Sequence, residues 1–317
     1  MSRLIKNALR VHIVSRIFLF CAVSVFLTSM ISGITHRIGE NGHYDSYYPL
    51  SFVIAIAAVF ITMAFGLCGE FESGAVRNKL SHGFTKMQFF FSQLTAALAE
   101  CVIFSVLAWV PYFIIAYGKF FSLFTGEVIL RALWLLFASV LLMALVGFTV
   151  CITVRKTALA IIICALLGLG LEYASERLES DLGQPMYTFE NGQDDYIYHP
   201  ETDTLEYVVI REPDKVEYPW YVDGVEREIY YAGYVANPMT CLLCGWKYLM
   251  YSDDCFNLED KRSFIEHHEL FNDKYIYNTE FMTDSRIDNV IYPLWSGLTV
   301  LVLTGIGILI FRKRNIY

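Results

Sequence analysis

The sequence predicts a mainly α-helical, polytopic membrane protein with six transmembrane helices and a mixed α/β extracellular insert between helices five and six. Of the 317 residues, 56% are hydrophobic and the mean hydropathy is +0.44, whereas ordinary soluble chains are roughly 45–50% apolar. The excess lies in long runs with almost no charge, and a run of about 20 apolar residues is enough to cross a hydrocarbon core of about 30 Å. The acidic residues, in contrast, are concentrated in one segment, residues 172–290.

Six apolar runs are predicted to form the spans. They are Ile17–Ile34, Leu50–Cys68, Phe90–Ala116, Val128–Val154, Thr157–Leu171 and Ile291–Phe311. Pro111 is expected to kink the third span or to mark its outer end, because proline removes a helix hydrogen bond. The fifth run is short, and it reaches a spanning length only if the helix continues through residues 172–174.

The distribution of Lys and Arg predicts the orientation of these spans. Basic residues cluster in the N-terminal segment, in the loops between spans two and three and between spans four and five, and in the C-terminal tail. Because cytoplasmic loops carry an excess of Lys and Arg, both termini are predicted to be cytoplasmic in a multi-pass cell-membrane protein. The sequence therefore predicts three parts of the chain. Residues 1–171 contain an N-terminal interfacial helix and five spans, residues 172–290 form the acidic extracellular domain, and residues 291–317 contain the sixth span and a basic cytoplasmic tail.

The first sixteen residues alternate apolar and basic side chains at helical spacing. Leu4, Ile5, Leu9 and Ile13 share one broad face, and this spacing predicts an amphipathic helix that leads into the membrane. The alternative is that the segment is only a basic flank of the first span.

The extracellular insert is too long and too rich in Tyr, Val and Ile for a plain linker. It holds 26 acidic and 9 basic residues, a net charge of 9 − 26 = −17. Short strands are predicted at Met186–Phe189 and Leu205–Ile210, with a hairpin of Glu217–Val222 and Glu228–Tyr234 turning at Asp223-Gly224. Residues 239–252 favour an interfacial helix, and residues 259–271 favour a solvated one.

The chain carries no catalytic motif, so we expect no enzyme activity of its own and no catalytic residues. It lacks a phosphate-binding loop and the HExxH and GxSxG motifs. His267 and His268 are adjacent and point about 100° apart on a helix, so a solvated face is favoured over a metal site. Cys241 and Cys244 form a CxxC outside a thioredoxin-like context, and no metal is expected. The basic residues are scattered along short loops, so no nucleic-acid partner is expected.

Glu100 is the one clear carboxylate deep within an apolar run. An ionisable group costs about 2.5–3.5 kcal/mol at the centre of a spanning helix on insertion scales, so it should face protein or water. One interpretation places it on a translocation path or at a subunit contact. The other is a neutral, hydrogen-bonded Glu packed between helices.

The loop after the second span is the most specific stretch of the chain. Glu70 and Glu72 suit a helix start, and Gly74 permits a tight turn. Arg77 and Lys79 give a cationic face, Gly83 is placed to end a short helix, and Thr85 to cap the next. The sequence therefore predicts a short, charged helix that is tightly linked to two spans and suited to docking. A generic basic loop is the alternative.

Residues Glu72 to Lys86 read E-S-G-A-V-R-N-K-L-S-H-G-F-T-K. This stretch resembles the loop of ABC-2 type exporter permeases, which runs approximately E-x-G-x-x-R-N-K-L-x-x-G-x-[ST]-[RK]. The chain is also similar to this family in its six predicted spans, in its predicted cytoplasmic termini, and in an Asn-Pro before the last span, which is Asn237-Pro238 here. Lys86 stands where the family often has Arg, and an insert of about 120 residues is longer than the family's usual segment.

The resemblance implies a transport subunit that a separate cytoplasmic ATPase grips through this loop. Glu72, Gly74, Arg77, Asn78, Gly83 and Lys86 would then form the coupling element. ATP and Mg would be bound by the partner ATPase, no cofactor by this chain, and a second permease copy would complete a homo- or heterodimer in the lipid bilayer. The acidic insert suggests export of cationic or amphipathic peptides. The alternative is that its acidity only keeps an exposed domain soluble. A membrane sensor or scaffold whose extracellular domain binds a ligand is the alternative function.

Overall fold

A computed structural model describes residues 2–38, 50–123, 126–182, 187–190, 193–199, 204–211, 214–217, 219, 221–244 and 291–313. These residues form two compact units. The first contains residues 2–175, 234–244 and 291–313, and the second contains the described residues between 176 and 233.

The first unit is a bundle of helices. Its elements are α1 (Ser2–Ile13), α2 (Arg16–Ile38), α3 (Leu50–Met63), a π-helical segment (Ala64–Cys68), α4 (Gly69–Glu72), α5 (Ala75–Ser81), α6 (Lys86–Leu123), α7 (Gly126–Val154), most of α8 (Thr157–Leu182), the end of α9 (Gly224–Ala236) and α10 (Ile291–Lys313).

Among the described residues, six helices are long and apolar enough to cross a membrane, as the apolar runs predict. They are Arg16–Thr35, Leu50–Glu72, Lys86–Ala116, Ile129–Val154, Thr157–Leu182 and Tyr292–Lys313. The fifth is longer than its apolar run, because the helix continues past residue 171 to Leu182 and so reaches a spanning length. The fold is that of a multi-pass membrane protein.

The second and fourth spans form the centre of the bundle and are its most buried helices. They approach closely at Gly147 of α7, where a Cβ atom would lie 2.6 Å from the ring of Phe60. The first, fifth and sixth spans are buried least, and their exposed apolar side chains have the composition of a lipid-facing surface.

Pro111 lies inside α6 and does not end it. The hydroxyl of Ser29 on α2 donates to the carbonyl of Ala108 at 2.7 Å and accepts the backbone N–H of Tyr112 at 3.1 Å. Ser29 therefore bridges the carbonyl of Ala108 and the N–H of Tyr112, on either side of the proline, so a side chain from α2 bonds to the helix backbone where a proline disturbs it. Gly33 permits the close approach of α2 here, since its Cβ would lie 3.2 Å from the carbonyl of Tyr112.

The N-terminal segment forms the predicted amphipathic helix, α1, which packs against α6 and the π-helical segment. Its buried side chains are Leu4, Ala8 and His12, spaced four residues apart, and we call them the docking stripe. Ser15 fixes the corner to α2 because its hydroxyl donates to the His12 carbonyl and accepts the N–H of Phe18, both at 3.0 Å.

The second unit contains four short strands. They are β1 (Tyr187–Glu190), β2 (Gln193–His199), β3 (Thr204–Arg211) and β4 (Asp214–Glu217). The strands pair antiparallel in a nested order, β1 with β4 and β2 with β3. The runs expected at 186–189 and 205–210 fall on β1 and β3.

The predicted hairpin at Asp223-Gly224 is wrong. Gly224 begins α9, and the carbonyl of Asp223 accepts the first bond of that helix from the N–H of Arg227 at 3.2 Å. An Asp-Gly pair suits a helix start as well as a turn. The alternation of apolar and polar residues that a strand requires is imperfect in Glu228–Tyr234. This segment is instead part of α9, which buries Tyr234 and Val235 at its end.

Asn237 joins three helices of the first unit. Its side-chain amide donates to the carbonyl of Leu171 at 2.7 Å, and its backbone carbonyl accepts the hydroxyl of Ser296 at 3.1 Å.

Residues 240–244 are helical, as expected for the start of the 239–252 run. The rest of that run, the predicted helix 259–271 with His267 and His268, and Cys255 lie outside the described residues.

Candidate functional site

The loop between the second and third spans folds into a defined helix-turn element, residues 70–86. Gly74 has φ +72°, a left-handed conformation that favours glycine, and α5 begins at the next residue. At the other end Gly83 has φ +89°. Its N–H binds the carbonyl of Leu80, while the N–H of Phe84 binds the carbonyl of Lys79. This pair of bonds is a Schellman motif, so Gly83 ends α5 as predicted.

Thr85 caps α6, also as predicted. The N–H of Gln88 donates to the Thr85 hydroxyl at 3.2 Å, and the Gln88 side chain accepts the N–H of Thr85 at 3.0 Å. This reciprocal pair is a capping box, which satisfies donors that a helix start leaves open. These bonds fix the end of the loop that leads into α6. At the other end the N–H of Ser73 donates to the carbonyl of Gly69 at 2.9 Å and the N–H of Gly74 to that of Phe71 at 3.2 Å, so local hydrogen bonds hold both ends.

Side-chain contacts anchor α5 to the bundle. Val76 is buried, and the ammonium of Lys79 donates to Glu70 at 2.5 Å while lying 5.5 Å from the centre of the Phe89 ring. Arg77 and Asn78, in contrast, are exposed. The loop thus presents one cationic side chain and one amide outward from a helix that is held on its other face.

Glu72 connects this loop to the fifth span. Its two carboxylate oxygens accept the backbone N–H and the hydroxyl of Thr157, each at 2.9 Å. Thr157 is the first residue of α8, so an acidic side chain from one loop caps the positive end of a helix that begins in another.

Lys86 connects the loop to the sixth span. Its ammonium donates to the backbone carbonyl of Arg312 at 3.3 Å, near the negative end of α10, where a cation is favourable. Beside this contact the rings of Phe71, Phe89 and Phe311 meet with centroids 5.8–6.4 Å apart, and the guanidinium of Arg155 lies 5.1 Å from the centre of the Phe71 ring. Spans two, three and six are therefore joined at this end of the bundle.

A chain of buried polar side chains runs from the loop into the bundle. Lys79 binds one oxygen of Glu70, and the other oxygen accepts the side-chain amide of Gln93 at 2.9 Å. The Gln93 oxygen contacts His12 Nε2 at 2.9 Å, and His12 Nδ1 contacts Glu100 Oε1 at 3.0 Å. Glu100 is 0% exposed and His12 and Gln93 are each 1% exposed, so this chain is shielded from solvent.

The order of donors along this chain can be deduced. Glu70 is paired with Lys79 and accepts, so the amide nitrogen of Gln93 must face Glu70 and its oxygen must face His12. His12 Nε2 therefore carries a proton. At Nδ1, either His12 is protonated and donates to a carboxylate, or Glu100 is protonated and donates to a neutral imidazole. In both cases one proton lies between His12 and Glu100.

Burial acts to lower the pKa of His12, but the hydrogen bond and the charge of Glu100, with smaller contributions from Gln93 and Glu70, outweigh it, and the pKa is raised. This direction favours the imidazolium–carboxylate form of the pair. The second oxygen of Glu100 has no hydrogen-bond partner among the described residues, so His12 is the main compensation for this buried acid.

Gly66 in the π-helical segment makes room for the imidazole. A Cβ atom at this position would lie 2.6 Å from Cε1 and Nε2 of His12, closer than real side chains approach. π-Helical turns inside α-helices are frequent at functional sites, and here the turn lies at the contact between the second span and α1.

Nothing in the sequence singles out His12 or Gln93, the two side chains at the centre of this polar chain. Gln93 lies seven residues before Glu100 and so shares its helix face, and this spacing is the only signal that could have connected them. Glu100 is hydrogen-bonded between helices, as in the second interpretation, but its partner is His12, whose raised pKa favours a charged pair over the neutral acid of that interpretation. Its role in transport, and the coupling roles of Glu72, Gly74, Arg77, Asn78, Gly83 and Lys86, stay predictions.

The cysteines of the CxxC, Cys241 and Cys244, are both free and buried. Burial raises the pKa of each thiol to about 12, and a thiol that stays protonated is a poor nucleophile. In the part of the chain that the structure describes, no group of three or more His, Cys, Asp or Glu side chains is arranged to hold a metal ion.

Comparisons of the chain with protein families, with curated proteins and with solved structures gave no match.

Proposed function

We propose that this chain is the membrane permease subunit of an ATP-driven exporter of the ABC-2 type, and that residues 70–86 are the element through which a separate ATPase moves it. The observation that carries the proposal is the geometry of this loop. Its short helix α5 is fixed at both ends and exposes the cation Arg77, and the flanking residues Glu72 and Lys86 bond the loop to the fifth and sixth spans. The match of Glu72–Lys86 to the family pattern supports the same function.

Rigidity is the first requirement of a coupling element, because a flexible loop absorbs the motion that it should transmit. The Schellman motif at Gly83, the capping box at Thr85 and the burial of Val76 leave α5 little freedom relative to α6. A force applied to α5 therefore acts on the third span.

Connection to other spans is the second requirement. The Glu72–Thr157 and Lys86–Arg312 contacts carry displacement of the loop to α8 and α10, and the polar chain carries it through Gln93 to α1. A partner that shifts α5 thus acts on spans three, five and six together.

A free recognition surface is the third requirement. Arg77 and Asn78 point outward from the anchored helix, and the always-charged guanidinium suits a carboxylate on a protein partner. The enrichment of Lys and Arg at this end favours a cytoplasmic position by the positive-inside rule, where an ATPase carrying ATP and Mg would lie. Residues 172–290 are then extracellular, both termini cytoplasmic, and a second permease copy completes the pathway.

For the substrate we propose cationic or amphipathic peptides. The support is the net charge of −17 over residues 172–290, which attracts cations at low and physiological salt. Binding of a cationic peptide to the full-length protein that is lost at high salt is the expected observation. Equal binding of a neutral peptide contradicts it.

The function is tested by Arg77→Glu, with Lys313→Glu as the control. Both residues are exposed and both changes alter the charge equally. We expect both variants to insert normally, and only Arg77→Glu to lose co-purification of an ATPase with a phosphate-binding loop and to uncouple ATP hydrolysis from transport. Full coupling in Arg77→Glu contradicts the role of this loop, and recovery of a kinase or of no partner with the wild type favours the sensor or scaffold instead.

A further inference from the structure

We propose that the N-terminal helix α1 is a binding site for anionic phospholipid headgroups, formed by Arg3, Lys6 and Arg10. The inference requires only that the chain spans a membrane, and it stands whether or not the protein is an exporter. Lipid headgroups of this chemistry, such as phosphatidylglycerol, carry a phosphate and a net negative charge at the level of the bilayer surface.

The arrangement of side chains around α1 points to a lipid. Successive residues are about 100° apart on a helix, so three stripes follow one another around α1. Next to the docking stripe comes an apolar stripe of half-buried side chains, and beyond it a basic stripe of exposed ones. The apolar stripe is Ile5, Leu9 and Ile13, and the basic stripe is Arg3, Lys6 and Arg10.

This order is that of a helix lying in a membrane interface. The docking stripe holds α1 against the bundle, so the apolar stripe can enter the acyl region while the basic stripe stays at the headgroups. Lys and Arg extend their apolar stems along such a boundary and leave the charge in the polar layer.

The depth of α1 is fixed by its connection to the first span. Only Val14 and Ser15 separate α1 from Arg16, where that span begins, and the two Ser15 hydrogen bonds hold the corner. The basic stripe precedes the first span by 6 residues at Arg10 and by 13 at Arg3, all on one helix that this corner joins to the span.

Among the residues that the structure describes, no acidic side chain neutralises the basic stripe. The sequence contains no Asp or Glu before Glu40, and none of the three basic side chains forms a salt bridge with the residues that the structure describes. Attraction to an anionic leaflet is worth about fivefold in binding for each Lys or Arg near the surface, so three together make a selective site.

The test uses the full-length protein in dioleoylphosphatidylcholine vesicles with spin-labelled phosphatidylglycerol or phosphatidylcholine as the probe. Electron paramagnetic resonance gives the association of each labelled lipid with the protein. We expect the wild type to prefer phosphatidylglycerol at 20 mM NaCl and to lose most of that preference at about 1 M, where the Debye length is only about 3 Å.

The variant Arg3→Gln/Lys6→Gln/Arg10→Gln should lower the preference at least about fivefold, whereas Arg3→Lys/Lys6→Arg/Arg10→Lys should keep it. A second control, Arg77→Gln/Lys156→Gln/Lys313→Gln, removes the same charge from exposed positions outside α1 and should also keep most of it.

Three results overturn the proposal. One is a wild type without preference for phosphatidylglycerol at low salt, which needs no variant at all. Another is an equal loss in the Gln variants of α1 and of the control set, since the effect is then that of overall charge. The third is unchanged lipid preference with loss of a co-purifying protein in the α1 variant, because the basic stripe then contacts that protein and not lipid.

Discussion

The buried pair of His12 and Glu100 yields a prediction whose sign depends on the shared proton. In the variant His12→Leu, Glu100 loses the partner of Oε1 while Oε2 already has none among the described residues. Breaking a buried pair by removing one partner costs about 3–5 kcal/mol, and the Gln93 oxygen loses its donor as well. We therefore expect a loss of at least about 3 kcal/mol.

The variant Glu100→Gln should behave very differently, although it removes the acid. A neutral His12 keeps its Nε2 proton on Gln93 and accepts the new amide N–H at Nδ1, so both hydrogen bonds survive and the expected cost is about 1 kcal/mol or less. The double variant His12→Leu/Glu100→Leu should recover most of the loss, since a buried pair can be replaced by apolar residues at little cost.

Two measurements check this order. The free energy of unfolding is obtained by detergent titration with tryptophan fluorescence, and hydrogen exchange over residues 2–13 reports whether α1 stays docked. Because α1 can detach before the bundle unfolds, we expect the largest change of His12→Leu in the exchange of α1. If Glu100→Gln costs as much as His12→Leu, or if His12→Leu costs less than about 1 kcal/mol, the shared-proton argument is wrong.

Three further predictions follow from single contacts. Gly66→Ala places a Cβ atom 2.6 Å from the His12 ring, which is held at both nitrogens. We expect it to lower the free energy of unfolding by about 1–3 kcal/mol in the same titration. Gly69→Ala, whose Cβ meets nothing within 4 Å, is the control and should have no effect. Glu72→Ala removes the cap at Thr157 and should lower the free energy of unfolding by about 1 kcal/mol or less, because the contact is exposed. Hydrogen exchange should become faster only in the first turn of α8. Faster exchange throughout α8 contradicts a local cap. The docking of α1 should also depend on pH, because the pKa of His12 is raised above its ordinary value of 6.5. Its contribution is fully present below about 6.5 and is lost as the pH rises through the raised value. Protection of α1 relative to the intrinsic exchange rate that does not change with pH contradicts this prediction.

The sequence predicts the spans well because lipid imposes a local rule, a long run of apolar residues. The same holds for the loop, where Gly83 and Thr85 act through hydrogen bonds to residues within a few positions. Such short-range chemistry is readable from a single chain. Hydropathy alone does not predict the length of the fifth span, because α8 continues through charged residues past residue 171.

The polar chain could not be predicted in the same way. His12 and Glu100 are 88 residues apart, and the packing of α1 against α6 that brings them together has no local signature. In the sequence His12 is one polar residue of a basic segment, whereas in the structure it lies on the docking stripe. The wrong hairpin at Asp223-Gly224 shows the opposite failure, since a local turn signal there also fits the start of a helix.

The central claim, that residues 70–86 are the contact for an ATPase, is tested most directly by photocrosslinking in cells. A photoreactive amino acid at Arg77, exposed on α5, is compared with one at Ile162, exposed on α8. The account predicts that the position of Arg77 crosslinks to a protein with a phosphate-binding loop and that the position of Ile162 does not. Crosslinking to no such ATPase from Arg77, or labelling of this position from outside the cell, contradicts the account.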